Sequence, residues 1–415
     1  MDSNGQSHTA SAVLPLTAAL LVALSLLAAA VHLRSHRLPA SQQAGFLGIP
    51  GAEDLAPSME AEQAQVRKWL AEDDYVDLEI NLDKAIGDYK QGRITDIDLR
   101  DLFFVFEDTK PELAQRYDRW WAQYPKSYAA HLARGIYFRS VAGERRGDDY
   151  FSQTPASKID AMEEMLGQAF VELQTSLSLD DKPILSYMYL ISVGKHERGG
   201  RYLRQVLDDS LKVDPKNFIV RRTYLRTLRP RWGGSMQAML DFVQECRAAG
   251  LPPAQISDLE GLVEEELGWE AEDGQQFDDA ILHYANAVRV FPHSADSWID
   301  YARVLYSHAD CARALPVLTR LSSFAGQLGS EQAWAHSARG WCLEQTRPQS
   351  DEAFGELRAA AELGDAWAEN ELGEALYAGR LVSPDPNEAM EWLQKAAAQG
   401  NEQAKRHLAQ ISNRQ

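Results

Sequence analysis

The stretch "AWAENELGEALYAGRLVSPDPNEAMEWLQKAAAQG", residues 366–400, decides the fold. It reads as one helix, the loop "RLVSPDPNE" and a second helix. The same pattern lies alongside it. Sliding residues 357–372 by 36 positions superposes Leu357 on Leu393, Ala360 on Ala396, Ala361 on Ala397, Gly364 on Gly400, Ala368 on Ala404 and Leu372 on Leu408. Six identities at one offset mark an internal repeat, and small residues at these positions let paired helices approach closely.

Upstream, strand signals almost vanish. Segments of helical period follow one another, separated by short Pro, Gly, Asn or Asp breaks. In residues 261–292, Leu267, Gly268, Ala280, Tyr284, Ala287 and Pro292 occupy tetratricopeptide positions: small residues where two helices touch, and a proline that stops the second. Trp298, Ala302 and Ala314 repeat part of this pattern, and Pro215 and Pro125 end two degenerate earlier copies.

Two family resemblances follow. Leu372-Gly373, Tyr377-x-Gly379, Asp385, Ala389, Trp392 and Lys395-Ala396-Ala397 make the last 65 residues resemble Sel1-like repeats. The resemblance implies antiparallel helix pairs stacked into a right-handed superhelix, with scaffolding as the usual work. "SYAAHLARGIYFRSVAGERRGDDY" (127–150) and "RPRWGGSMQAM" (229–239) make residues 70–300 resemble the bacterial domain of unknown function 4034. That family is helical and implies no activity.

At 415 residues, with 45% apolar and 25% charged side chains, the chain is long enough for two or three domains or one repeat array. Its net charge of -19 argues against nucleic acid, which needs a basic footprint. Cys246, Cys311 and Cys342 form no CxxC pair, which excludes a cysteine-based zinc site and weakly fits a reducing compartment. One bridge between Cys311 and Cys342 stays open, but three small buried side chains are the expectation.

Residues 12–31, "AVLPLTAALLVALSLLAAAV", carry no charge and at ~1.5 Å per residue span a hydrocarbon core. A cleaved signal peptide ending near Ala28-Ala29-Ala30 competes, but the preceding "MDSNGQSHTAS" lacks the basic residues such a peptide wants. Arg34 and Arg37 follow the apolar run and place the body in the cytoplasm. Residues 38–58 read as a flexible tether.

No HExxH, P-loop, GxGxxG or nucleophile elbow occurs, so no catalytic residue, cofactor site or metal site is assigned. His131 reads as a core histidine, and the runs Glu163-Glu164 and Glu264-Glu265-Glu266 as solvated or arginine-paired faces. One feature is unusual for so acidic a chain: residues 215–240 contain no acid, and Arg221, Arg222, Arg226, Arg229 and Arg231 fall within them. On a helix from 217 to 228, Arg222, Arg226 and Arg229 line one stripe opposite Val220, Tyr224, Leu225 and Leu228. The stripe either pairs with the acids between Asp258 and Asp273, with Arg231 or Arg229 stacked on a buried Trp232, or keeps guanidiniums free to grip a carboxylate or phosphate. Arg134 and Arg139 open a second basic patch, before an insertion of about 24 residues read as a long loop.

The expected protein is all-α: an α-solenoid of tetratricopeptide-like pairs (59–325) and Sel1-like pairs (326–415) behind an N-terminal segment (1–37) with one transmembrane helix (about 12–31) and a linker (38–58). Its expected work is a scaffold or adaptor at the bacterial inner membrane, binding a protein or acidic peptide through Arg222, Arg226, Arg229, Arg231, Trp232, Arg134 and Arg139. A toxin-neutralising immunity protein is the alternative, and an enzyme the third.

Overall fold

The computed structural model describes residues 57–147, 154–195, 198–324, 328–329, 331–347, 350–380 and 382–412. The apolar run 12–31 lies outside these, as does the tether but for its last two residues. Among the described residues no helix is long and apolar enough to cross a membrane.

The described residues contain nineteen α-helices and no strand. In chain order they are α1 Pro57–Ala71, α2 Tyr75–Lys90, α3 Asp96–Phe103, α4 Leu113–Gln123, α5 Tyr128–Arg146, α6 Ala156–Leu177, α7 Ile184–Gly194, α8 Gly199–Val213, α9 Ile219–Thr227 and α10 Met236–Ala248. There follow α11 Pro253–Asp273, α12 Phe277–Val290, α13 Ala295–Ser307, α14 Cys311–Leu321, α15 Glu331–Thr346, α16 Asp351–Glu362, α17 Ala366–Ala378, α18 Pro386–Ala398 and α19 Glu402–Ser412.

Local chemistry sets many of the boundaries. The side chains of Asp74, Thr95, Ser127, Ser235, Ser294, Asp310, Asp365 and Asp385 each accept a backbone N–H of the helix that follows, satisfying donors a helix start leaves unpaired. Pro125, Pro215 and Pro292 each stand two residues beyond a helix end, the stopping role read from the sequence.

Most helices pack on the ones directly before and after them, the signature of a solenoid. A second set of contacts runs α5–α7–α9–α11–α13–α15, so the odd-numbered helices lie side by side as one layer. The apolar core is laid down in chain order as well. One cluster extends from Val66 to Val263, a second from Ala271 to Cys342, and two small ones fill the last pairs.

A polar clamp recurs along the array. "AHLARG" in α5 and "AHSARG" in α15 differ at one position, and each faces a Glu-Leu pair on the next helix. His131 Nδ1 lies 2.6 Å from Glu172, whose other oxygen accepts from Arg134; His336 Nδ1 lies 2.7 Å from Glu356, which accepts from Arg339. The glycines closing the motifs, Gly135 and Gly340, press on Leu173 and Leu357; a Cβ there would sit 2.8 and 3.0 Å from the leucine Cγ.

Two expectations are corrected. The insertion after Arg139 is not all loop: α5 continues to Arg146 and α6 begins at Ala156, so both ends of the inserted stretch are helix. Cys311 and Cys342 form a disulfide that ties α14 to α15, leaving Cys246 as a buried free thiol. The bond forms because those two helices pack side by side with the cysteine Cα atoms 5.0 Å apart, within the normal reach of a bridge.

Candidate functional site

The acid-free stretch folds into α9, a short 3-10 turn at Pro230–Trp232 and the start of α10. Its entry is fixed from a distance, since the Asp96 carboxylate of α3 accepts the N–H groups of Phe218 and Ile219 at 2.6 and 3.1 Å. Arg221 is buried and donates to the carbonyls of Asn217 and Pro215, both at 2.7 Å. At the exit, Gly233 adopts φ +87°, and a Cβ on Gly234 would fall 2.0 Å from the Leu228 oxygen. Only glycines fit there, which explains the Gly-Gly after Pro-Arg-Trp.

The expected arginine stripe divides in two. Arg229 bonds Glu265 at 2.8 Å and lies 3.5 Å from Glu266, while Arg231 reaches Glu266 at 2.9 Å and covers the Trp269 ring. Both glutamates are buried, so these contacts tie the turn to α11. Within the acidic run, Glu265 and Glu266 are thus arginine-paired rather than solvated, while Glu264 takes His283 at 2.8 Å. Neither arginine stacks on Trp232, against expectation. Trp232 is not buried either: it is 55% exposed, because the glycine turn swings it outward, and Lys195 lies over its ring at 4.8 Å.

Arg222 and Arg226 behave differently. Arg226 makes one 3.2 Å contact with Asp296, itself 67% exposed, and its Nε finds no partner. The Arg222 guanidinium lies 5.1 Å from the Phe291 ring, its Nε also lacks a partner, and burial lowers its pKa to about 9, helped by the charges of Arg226 and Arg100.

Lys195, which closes α7, joins them. Among the described residues no acceptor touches its ammonium. Burial lowers its pKa to about 8, and the guanidiniums of Arg139, Arg226, Arg146 and Arg229 add to the shift. Nothing local marks this residue in the sequence; only the packing of α7 against α9 brings it beside Arg226.

The second basic patch is taken apart. Arg134 belongs to the Glu172 clamp, donates also to Asp118 at 2.9 Å and stacks over Trp121 and Phe138. His131 is a buried core residue as read, with Glu172 on one ring nitrogen and the Pro125 carbonyl 3.2 Å from the other. Burial works against its charge, but those two acceptors prevail and raise its pKa. Arg139 bonds Ser192 at 3.2 Å and Glu107 at 3.4 Å, on the side of α5 that faces α7.

Across the odd-helix layer the charge therefore changes sign. Arg139 on α5, Lys195 at the end of α7 and Arg222 and Arg226 on α9 are followed by Asp258 and Glu265 on α11 and Asp296 and Asp300 on α13. Such a strip offers several hydrogen-bond donors to an anion.

Fold and strip define an all-α helical-repeat protein with a cationic strip on one helix layer. Residues 62–209 and 194–262 match the family model Domain of unknown function (DUF4034), nearly the extent of the first core cluster, and residues 368–401 match the Sel1 repeat. The chain thus joins a DUF4034 region to a C-terminal Sel1 repeat. No curated protein matches it. Among solved structures it is similar to a Sel1 repeat protein from Oxalobacter formigenes, at 17% identity over 55% of this chain and 89% of that one, with a TM-score of 0.37. It is also similar to the human IFIT1 dimer with PPP-AAAA, at 14% identity over 79% and 80% of the two chains, TM-score 0.38. A third is the APC/C hetero-tetramer Cut9-Hcn1, at 12% identity over 79% and 57%, TM-score 0.35.

Proposed function

We propose that this protein is a scaffold or adaptor that holds a protein partner against its helical array, tethered to the bacterial inner membrane by residues 12–31. One observation carries the reading: a chain of net charge -19 keeps a strip of cations on adjacent helices of one layer, and Lys195 and Arg222 there have no acidic partner among the described residues. Arg222, drawn out of water without an acid, costs stability in the array, and a binding role is the reason to retain it; Lys195 beside it is exposed and open to a partner. The repeat architecture supports the same reading, since stacked helix pairs present extended surfaces. The test is recovery of the full chain from detergent-solubilised membranes after cross-linking. The proposed function predicts a stoichiometric protein partner; recovery of the chain alone at every salt concentration would sink it.

A further inference from the structure

Lys195, at the end of α7, and Arg222, on the adjacent α9, have no acidic partner among the described residues of a chain with 61 acids, and Arg226 has one, the exposed Asp296. Other arginines are fully engaged by acids: Arg204 bonds Glu245 twice at 2.8 Å, and Arg119 takes both oxygens of Asp73. The two helices pack side by side, and the Arg226 charge acts on both Lys195 and Arg222. Beside them lies an exposed indole.

We propose that Lys195, Arg222 and Arg226, with Trp232 at their edge, form an anion-binding subsite that takes a carboxylate-rich, extended segment of a protein partner. This rests on the scaffold reading above and assigns its contact point. The Lys195 ammonium and the Arg222 guanidinium touch no acceptor among the described residues, and Arg226 spends a single bond, on Asp296. Packed helices have axes about 8–10 Å apart, so cations on α7 and α9 match successive carboxylates of one strand better than one compact anion. Trp232 adds a rigid apolar face for a side chain between those carboxylates. Long polyanions fit poorly, because beyond the strip α11 and α13 carry acids, Asp258 and Asp296 among them. Binding also offsets the repulsion that adds to desolvation in lowering the Lys195 pKa.

The test uses the full chain in detergent and a fluorescein-labelled hexaglutamate probe, with hexaglutamine as control. Hexaglutamate is expected to bind and hexaglutamine not. Lys195→Gln should weaken binding about tenfold or more, the scale of one charge-assisted hydrogen bond. Its melting temperature should stay level or rise, which separates a ligand contact from a structural one. Trp232→Ala, at an exposed position, is the second variant and should weaken binding without unfolding the chain. Equal binding of both peptides overturns the proposal, as does hexaglutamate binding unaltered in both variants. Displacement by inorganic phosphate at concentrations where free glutamate has no effect overturns the carboxylate assignment. A cross-linked partner fully retained by Lys195→Gln overturns the subsite and leaves the scaffold standing. Lys195-dependent hexaglutamate binding with no partner recovered does the reverse.

Discussion

Asp300, on α13, carries the proton question of this site. Burial holds its pKa up at about 7, and the charges of Glu265 and Asp296 push the same way. Asp258, on α11, is raised to about 6, again by burial. A carboxyl whose folded pKa lies above its unfolded value binds more protons when folded. Its contribution to stability is therefore full below pH ~4 and lost as pH rises through the folded value. Between pH 5 and pH 8 these two groups should destabilise the array progressively. Asp300→Asn is expected to raise the melting temperature at pH 8, by an equivalent of roughly 1–3 kcal/mol, with little effect at pH 5. Thermal scans at the two pH values check this; an equal shift at both would mean the carboxyl is not held neutral by its surroundings. Trp232 gives a second residue-scale expectation. A buried tryptophan costs ~3–5 kcal/mol on truncation, but this one is exposed, so Trp232→Ala should cost under ~1 kcal/mol by chemical denaturation.

At the scale of elements, the two His-x-x-Arg-Gly motifs act as rivets between helices of a pair. Glu172 receives both Arg134 and His131 in a buried position, and Glu356 receives Arg339 and His336. Removing the acceptor charge weakens two contacts at once, although Arg134 keeps Asp118 and Arg339 keeps Glu352. Glu172→Gln is expected to cost about 2–4 kcal/mol and Glu356→Gln a comparable amount, read from urea midpoints. Gly340→Ala tests the close approach instead: its Cβ meets the Leu357 side chain, and overpacking of this kind costs about 1–3 kcal/mol. A neutral result would show that α15 and α16 tolerate separation. The motif itself was legible in the chain, as five identities in six residues. It escaped the repeat search because its glutamates stand 41 and 20 residues downstream, so no single offset aligns both halves.

For the whole molecule, the disulfide is the long-range tie. It joins α14, on one side of the 325/326 boundary expected from the sequence, to α15 on the other, and closes a loop of 31 residues. Cross-linking a loop of that length contributes about 3–4 kcal/mol on the chain-entropy account. A reductant should therefore lower the melting temperature of the parent protein and leave that of Cys342→Ser unchanged. The bond also bears on the side of the membrane. Arg34 and Arg37 argue for the cytoplasm, whereas a disulfide persists on the oxidising side. Two arginines are a weak topology signal against a bond between two cysteines that the fold brings together. A phosphatase reporter after Gln415 is accordingly expected to be active in the periplasm. Activity of a cytoplasmic reporter alone would restore the arginine reading and predict free thiols at Cys311 and Cys342 as well as Cys246.

What the sequence determined by itself was the regular part. Small residues at fixed spacing, capping residues at helix starts and prolines two residues past helix ends are local signals, and local signals specify helices and their pairing with neighbours. An all-α repeat array and a Sel1-like end follow from them. The candidate site was only half legible: an acid-free run containing Arg222 and Arg226 stands out against the acidity of the chain, but composition does not say which charges are neutralised. The layer in which α7, α9 and α11 lie side by side decided that. It gave Arg229 and Arg231 to buried glutamates, turned Trp232 outward on two glycines, and brought Lys195 from the end of another helix to the place where no acid reaches. Helix periodicity reports which face is buried. Only packing between helices distant in sequence reports which charge on that face has a partner.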